Sequence, residues 1–294
     1  MQFSGTYTAL ITPFRAGELD VPAFQALIER QIAGGVDGLV AVGTTGESPT
    51  LDTAEHLEVL RLAVEFAAGR CQVVAGTGSN ATAEAIELTV TAEALGATAS
   101  LQVCPYYNKP SQEGLYLHFK AIAEATGLPL MLYSVPGRSV IEIAPETVAR
   151  LAADFPNIIA IKEAGGSVDR INQLLQVVPE EFSILCGDDP LTLPFIACGA
   201  TGLVSVASNL IPDVIARLVR ACLNGSFDEA LAIQKHYYPL MRGLMSLDVN
   251  PVPIKSAVAM QGHCTAEFRL PLAPLSPANT ERLTMLLESY NLLP

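Results

Sequence analysis

Apolar and polar positions along the chain repeat with two periods. Eight short runs, residues 6–12, 38–43, 72–77, 100–105, 129–135, 158–163, 183–187 and 202–207, are apolar and rich in β-branched residues without clean alternation. That is the pattern of parallel strands covered on both faces. The longer segments between them carry apolar residues at the three-to-four-residue spacing of amphipathic helices. Asp20 heads a helix over 21–33 that stops at Gly34 and Gly35, and Asp52 heads another with Glu55 at the capping-box spacing. Asn80 introduces 81–95, ended by Gly96; Ser111 introduces 112–126, ended by Gly127; and Pro145 suits the first turn of 145–153. Further helical patterns cover 168–177 and 190–198.

Eight strand-and-helix repeats predict an α/β fold of the (β/α)8 TIM-barrel class, which needs about 250 residues. A doubly wound open sheet is the competing architecture, but no G-x-G-x-x-G follows the first strand. Helical patterns near 212–222, 227–243, 253–261 and 277–290 predict a C-terminal helical appendage. Pro251, Pro253, Pro271, Pro274 and Pro277 punctuate it into several short helices. The expected division is 1–210 for the barrel strands and most barrel helices, and 211–294 for the last barrel helix and the C-terminal helical region.

Composition narrows the partners. A net charge of −13 disfavours nucleic acid and anionic membrane surfaces. Only 16% of residues are charged, which predicts a large interior, surface buried between subunits, or both. Residues 190–212 carry no charge over a span long enough to cross a bilayer, but prolines and glycines break it, so a short helix and a buried strand are expected instead. The N-terminal residues lack a basic segment ahead of an apolar core, and a cytoplasmic protein is expected. Cys71, Cys104, Cys186, Cys198, Cys222 and Cys264 form no C-x-x-C pair, so reduced thiols are expected.

Barrel chemistry gathers at the C-terminal ends of strands. There the chain places Thr44 and Thr45, Tyr106 and Tyr107, Tyr133 with Arg138 beyond it, Lys162, and Gly187 with Asp188. No histidine or carboxylate cluster accompanies them, which argues against a metal site and against two-carboxylate glycosidase chemistry. Lys162 interrupts the apolar run IIAIKEA. Desolvation would favour its neutral amine, the form that attacks a carbonyl to give a Schiff base. The alternative is a lysine that snorkels to the barrel mouth or pairs with Glu163, although adjacent strand residues face opposite ways. Tyr133 and Tyr107 can donate and accept protons, with Thr44 and Thr45 extending a relay. Arg138 can hold a carboxylate through two parallel hydrogen bonds, or it is an ordinary solvated loop arginine.

Five motifs, GTTGES at 43–48, YYNKPSQEGLYLHFKAIAE at 106–124, YSVPGR at 133–138, IKEAGG at 161–166 and GDD at 187–189, together resemble the dihydrodipicolinate synthase (4-hydroxy-tetrahydrodipicolinate synthase) family. This family lies within the class I pyruvate aldolase and N-acetylneuraminate lyase superfamily, and the likeness runs over nearly the whole chain. The resemblance implies that pyruvate forms a Schiff base with Lys162, with no cofactor, and that the derived enamine attacks aspartate 4-semialdehyde on the route to diaminopimelate and lysine. It implies Tyr133 as general acid and base, linked through Thr45 to a Tyr107 from a neighbouring subunit of a homodimer or homotetramer. Thr44 and Thr45 would hold the pyruvate carboxylate, Arg138 that of the semialdehyde, and the backbone at Gly187 and Val204 would line the pyruvate site. Ser48, His56, Asn80, Glu84 and Tyr106 match positions that bind inhibitory L-lysine in some members, with Thr53 in place of a histidine found in some of them. Ser134 and Gly165 depart from the family's usual Asn and its usual Ser or Thr. Sugar-acid aldolases of the superfamily share the lysine, the tyrosine and the glycine-rich loop, so the second substrate rests on Arg138 and the 106–124 match. A noncatalytic sensor barrel is the third reading.

Overall fold

The computed structural model describes residues 2–294. Eight parallel strands form a closed barrel: β1 (Gly5–Ala9), β2 (Gly38–Ala41), β3 (Gln72–Gly76), β4 (Ala99–Val103), β5 (Leu130–Ser134), β6 (Ile158–Glu163), β7 (Ser183–Cys186) and β8 (Gly202–Ser205). They pair in chain order, and β8 returns to β1 with Gly202 opposite Gly5. Each of the eight apolar runs overlaps one of them, with β1 and β4 starting one residue earlier than their runs. At the closing seam the backbones approach closely: a Cβ on Gly202 would sit 2.3 Å from the Gly5 carbonyl oxygen.

Between the strands run α1 (Val21–Ala33), α2 (Thr53–Ala67), α3 (Thr82–Ala94), α4 (Gln112–Ala125), the single turn α5 (Pro136–Ser139), α6 (Pro145–Asp154), α7 (Val168–Leu175) and α8 (Thr192–Ala197). After β8 come α9 (Pro212–Leu223), α10 (Phe227–Ser246), α11 (Val252–Met260) and α12 (Pro277–Glu288), with α10 packed against α9, α11 and α12. The capping box on α2 is formed: Asp52 Oδ1 accepts from the Glu55 N–H at 2.9 Å, and Glu55 Oε2 accepts from the Asp52 N–H at 3.3 Å. Asn80 does not cap α3. That helix starts at Thr82 with Ala81 at the cap position, Ser79 Oγ accepts the Ala81 N–H, and Asn80 spends its amide on the Tyr106 carbonyl at 3.1 Å. A two-residue hairpin, Phe14–Arg15 with Glu18–Leu19, is too short to have shown a period.

Apolar side chains segregate into an interior and a surround. Tyr7, Val40, Val74, Leu101, Met131, Ala160, Leu185 and Val204 fill the lumen, while the opposite strand faces pack beneath the helices. The uncharged 190–212 stretch folds into α8, β8 and two one-turn 3-10 helices, and no helix among the described residues is long and apolar enough to cross a membrane. All six cysteines are free thiols; Cys104, Cys186 and Cys222 are buried, and the other three are partly so.

These contacts rank two substitutions. Removing the cap oxygen with Asp52→Ala is expected to cost about 1 kcal/mol. Gly202→Ala forces a methyl against backbone that cannot yield without opening the seam, and should cost more than about 2 kcal/mol. Urea unfolding of the two variants checks the order.

Candidate active site

The β5/β6 register sets Tyr133 opposite Lys162. Alternation along β6 turns Ala160 and Lys162 into the lumen and Ile161 and Glu163 outward. Lys162 is 6% exposed, and its Nζ lies 4.2 Å from the centroid of the Tyr133 ring. Space for it comes from the residue that follows β7: a Cβ on Gly187 would stand 2.7 Å from Ala164 Cβ and 3.1 Å from Lys162 Cε. Lys162 and Glu163 therefore do not pair. The Glu163 carboxylate instead accepts the Gly165 N–H at 2.7 Å and meets Arg170 Nε of α7 at 3.3 Å. Burial pushes Glu163 above the usual carboxylate range, against the pull of that N–H and of Arg170.

A cavity of about 210 Å3 opens above Lys162, lined by Thr44, Thr45, Tyr133, Arg138, Lys162 and Gly187. The strand ends thus converge as their positions required. Asp188, Val206, Arg242 and Asn250 also line it. Burial raises the Asp188 pKa and the Arg242 charge opposes the shift. The GDD motif continues into Asp189, which accepts the Val206 and Ala207 N–H groups at 2.9 and 3.0 Å and the Ser205 hydroxyl, holding the turn after β8.

One expectation changes. Val204 sits within the lumen layer, and Val206, two residues nearer the mouth, lines the cavity. Tyr107 lies outside this cavity in its own chain, 89% exposed and with a left-handed backbone, φ +73°. Asn250 was missed by sequence reasoning, and it joins two of the expected residues. Its Nδ2 donates to Thr45 Oγ1 at 3.1 Å, and its carbonyl accepts from Arg138 Nη2 at 3.1 Å. Its Oδ1 is buried without a partner among the described residues. Asn before Pro251 signals a turn, but nothing local in the sequence says which strand ends that turn covers. Arg242, inside α10, carried no signal.

A second cavity, of about 410 Å3, gathers Ser48, Thr53, His56, Glu84 and Tyr106. Asn80 stays out of its lining and braces the Tyr106 carbonyl. Glu84 Oε2 accepts from Ser79 Oγ at 2.5 Å. Burial lowers the His56 pKa, opposed by the Gly76 backbone and the Glu84 charge, so the ring is neutral at pH 7. The two cavities share Thr44, Val135 and Arg138, and a small void of about 40 Å3 touches both through Thr44, Ser48 and Tyr133. The two departures flank Glu163: Ser134 pairs with it in register, its Oγ buried and unpartnered among the described residues, and a Cβ on Gly165 would stand 2.7 Å from Glu163 Oε1.

The family model described as the dihydrodipicolinate synthetase family matches residues 2–290. A 4-hydroxy-tetrahydrodipicolinate synthase of Persephonella marina is 49% identical, over 99% of each chain. The crystal structure of dihydrodipicolinate synthase from Aquifex aeolicus superposes with a TM-score of 0.98 at 46% identity, covering 99% of each chain. The Cyanidioschyzon merolae enzyme, solved with lysine bound, superposes at 0.95 with 39% identity, again over 99% of each chain. A buried lysine beside a tyrosine at the mouth of the barrel, matched along the chain at this level, means that the protein belongs to the dihydrodipicolinate synthetase family.

Proposed function

We infer that the chain catalyses the 4-hydroxy-tetrahydrodipicolinate synthase reaction, condensing pyruvate with L-aspartate 4-semialdehyde through a Schiff base on Lys162. The observation that carries this reading is the Lys162 amine, enclosed in the lumen beside Tyr133 and beneath Thr44, Thr45 and Arg138. The neutral amine adds to the pyruvate ketone, water leaves, and an imine joins the substrate to Nζ. Loss of a methyl proton gives the enamine, whose carbon attacks the aldehyde. The semialdehyde's own amine then displaces Lys162 and closes the ring. Each step moves a proton at the reacting centre, and the Tyr133 phenol stands next to it. The covalent lysine supplies the electron sink, so no cofactor is invoked.

The threonine hydroxyls and loop N–H groups at 44 and 45 suit the pyruvate carboxylate. Arg138 suits the carboxylate of the semialdehyde, while Asp188 and Asn250 Oδ1 offer acceptors to its ammonium. The relay from Tyr133 through Thr45 needs Tyr107 from a second copy, because in its own chain that residue points into solvent. A homodimer is therefore the smallest complete unit, and its pairing into a homotetramer is compatible with it. A cytoplasmic location accords with a biosynthetic enzyme of this kind. We further propose that the larger cavity takes L-lysine as an inhibitor, the Glu84 carboxylate meeting an ammonium and Tyr106 a carboxylate, as the ligand of the Cyanidioschyzon merolae enzyme suggests. A neutral His56 adds no cation to repel that ammonium.

Three outcomes are expected. Borohydride added with pyruvate should leave a reduced pyruvyl adduct on Lys162 in peptide mass mapping; an unmodified Lys162 would remove the mechanism. Arg138→Ala should cut turnover with the semialdehyde by about 30-fold or more, the loss of a charge-assisted hydrogen bond, while the adduct still forms. Equal loss of both steps contradicts its role, and a preference for cleaving N-acetylneuraminate or 2-keto-3-deoxygluconate would point to the sugar-acid aldolases instead. Millimolar L-lysine should inhibit, and Glu84→Gln should raise the concentration required by about tenfold. Activity indifferent to lysine in both proteins excludes the inhibitor site.

A further inference from the structure

Glu47 stands between two one-turn 3-10 helices, Thr44–Gly46 and Ser48–Thr50, with a left-handed backbone at φ +58°. A residue with a side chain holds that conformation at a cost of about 1 kcal/mol or more, so something must retain it. Its carboxylate turns inward: Oε1 lies 2.6 Å from Lys255 Nζ, and both side chains are fully buried. Oε2 accepts the Arg269 N–H at 3.4 Å, and the Lys255 ammonium sits over the rings of Phe14 and Phe268 at 4.2 and 5.2 Å. Burial lowers the Lys255 pKa and Glu47 opposes the shift. Lys255 belongs to α11, whose preceding turn supplies Asn250 to Thr45. A buried ion pair is often no more stabilising than apolar residues of similar volume, so net stability does not account for this one.

We propose that the Glu47–Lys255 pair is a positioning device for the reaction: by anchoring the 43–48 loop to α11 it sets Thr44 and Thr45 at the pyruvate site. Neither Glu47 nor Lys255 lines the cavity above Lys162, so the pair acts through the hydroxyls on its loop. This rests on the pyruvate reading above. It also gives the C-terminal helices a part in the chemistry, since Lys255 and Asn250 grip the loop from one side while the Thr12 hydroxyl donates to the Gly46 carbonyl at 2.7 Å from the other.

The test replaces both charges with apolar side chains, Glu47→Leu with Lys255→Met, which leaves no uncompensated buried ion. The double variant is expected to melt no lower than the parent, yet to raise KM for pyruvate by about fivefold or more and to lower kcat as well. A shrinking folded fraction lowers kcat but cannot move KM, so the KM shift separates positioning from a merely structural role. Should the double variant not fold, Glu47→Gln is read the same way on its soluble fraction. A smaller change in KM in the folded variant overturns the proposal. If the parent itself forms no borohydride-trapped adduct with pyruvate, the functional reading fails and this inference falls with it. An active parent and an equally active double variant defeat this inference alone.

Discussion

The structure is organised around one constraint, the placing of a lysine amine in a lumen otherwise filled with apolar side chains. Taking an ammonium out of water costs several kcal/mol unless it is paired, and among the described residues no carboxylate forms an ion pair with Lys162. The face of the Tyr133 ring lies 4.2 Å from its Nζ. The arrangement depends on full closure of the barrel and on the alternation of β6, which sends Glu163 outward to Arg170 and the Gly165 N–H and keeps its carboxylate from pairing with the amine. Gly187 contributes by what it lacks, since a methyl there would press on the lysine stem.

The lumen supplies the nucleophile, and the C-terminal helices help to supply the geometry above it. Asn250 ties Thr45 to Arg138, two residues 93 positions apart in sequence that both line the cavity above Lys162. Lys255 reaches Glu47 across 208 positions. Arg269 clamps the start of α2 through both oxygens of Glu55, at 2.5 and 2.6 Å, and covers the same Phe14 ring that receives the Lys255 ammonium. Residues after the eighth strand therefore brace the loop after the second, and the strict picture of a barrel with an appendage understates how closely the two are joined at the mouth.

What was legible in the sequence follows from the same physics. Strands buried on both faces read as apolar runs, so all eight were visible, and Lys162 was conspicuous because it broke one of them. Strand ends are predictable places, so Thr44, Thr45, Tyr133, Arg138 and Gly187 could be found by topology. Asn80 misled because the same amide that caps helices also bonds to loop carbonyls, and the Tyr106 carbonyl claimed it. Val204 was one inward step too deep, a distinction that depends on where β8 ends. Asn250, Lys255 and Arg242 come from helices and turns that no strand-end rule reaches, and only the folded chain brings them to the mouth. Lys255 had the same local signal as Lys162, a charge in an apolar segment, but helical periodicity offered it an exposed face that the structure does not give it.

The two cavities are best understood through the segment they share. Thr44 borders both, Ser48 lines the larger one and the small void between them, and Glu47 anchors the stretch from below. Its two 3-10 turns follow one another through Glu47, and Thr45, Gly46 and Glu47 are each held from outside the loop, by Asn250, Thr12 and Lys255. Should the larger cavity take an inhibitor as proposed, Thr44 and Ser48 give a direct structural link to the cavity above Lys162, with no long chain of contacts between them.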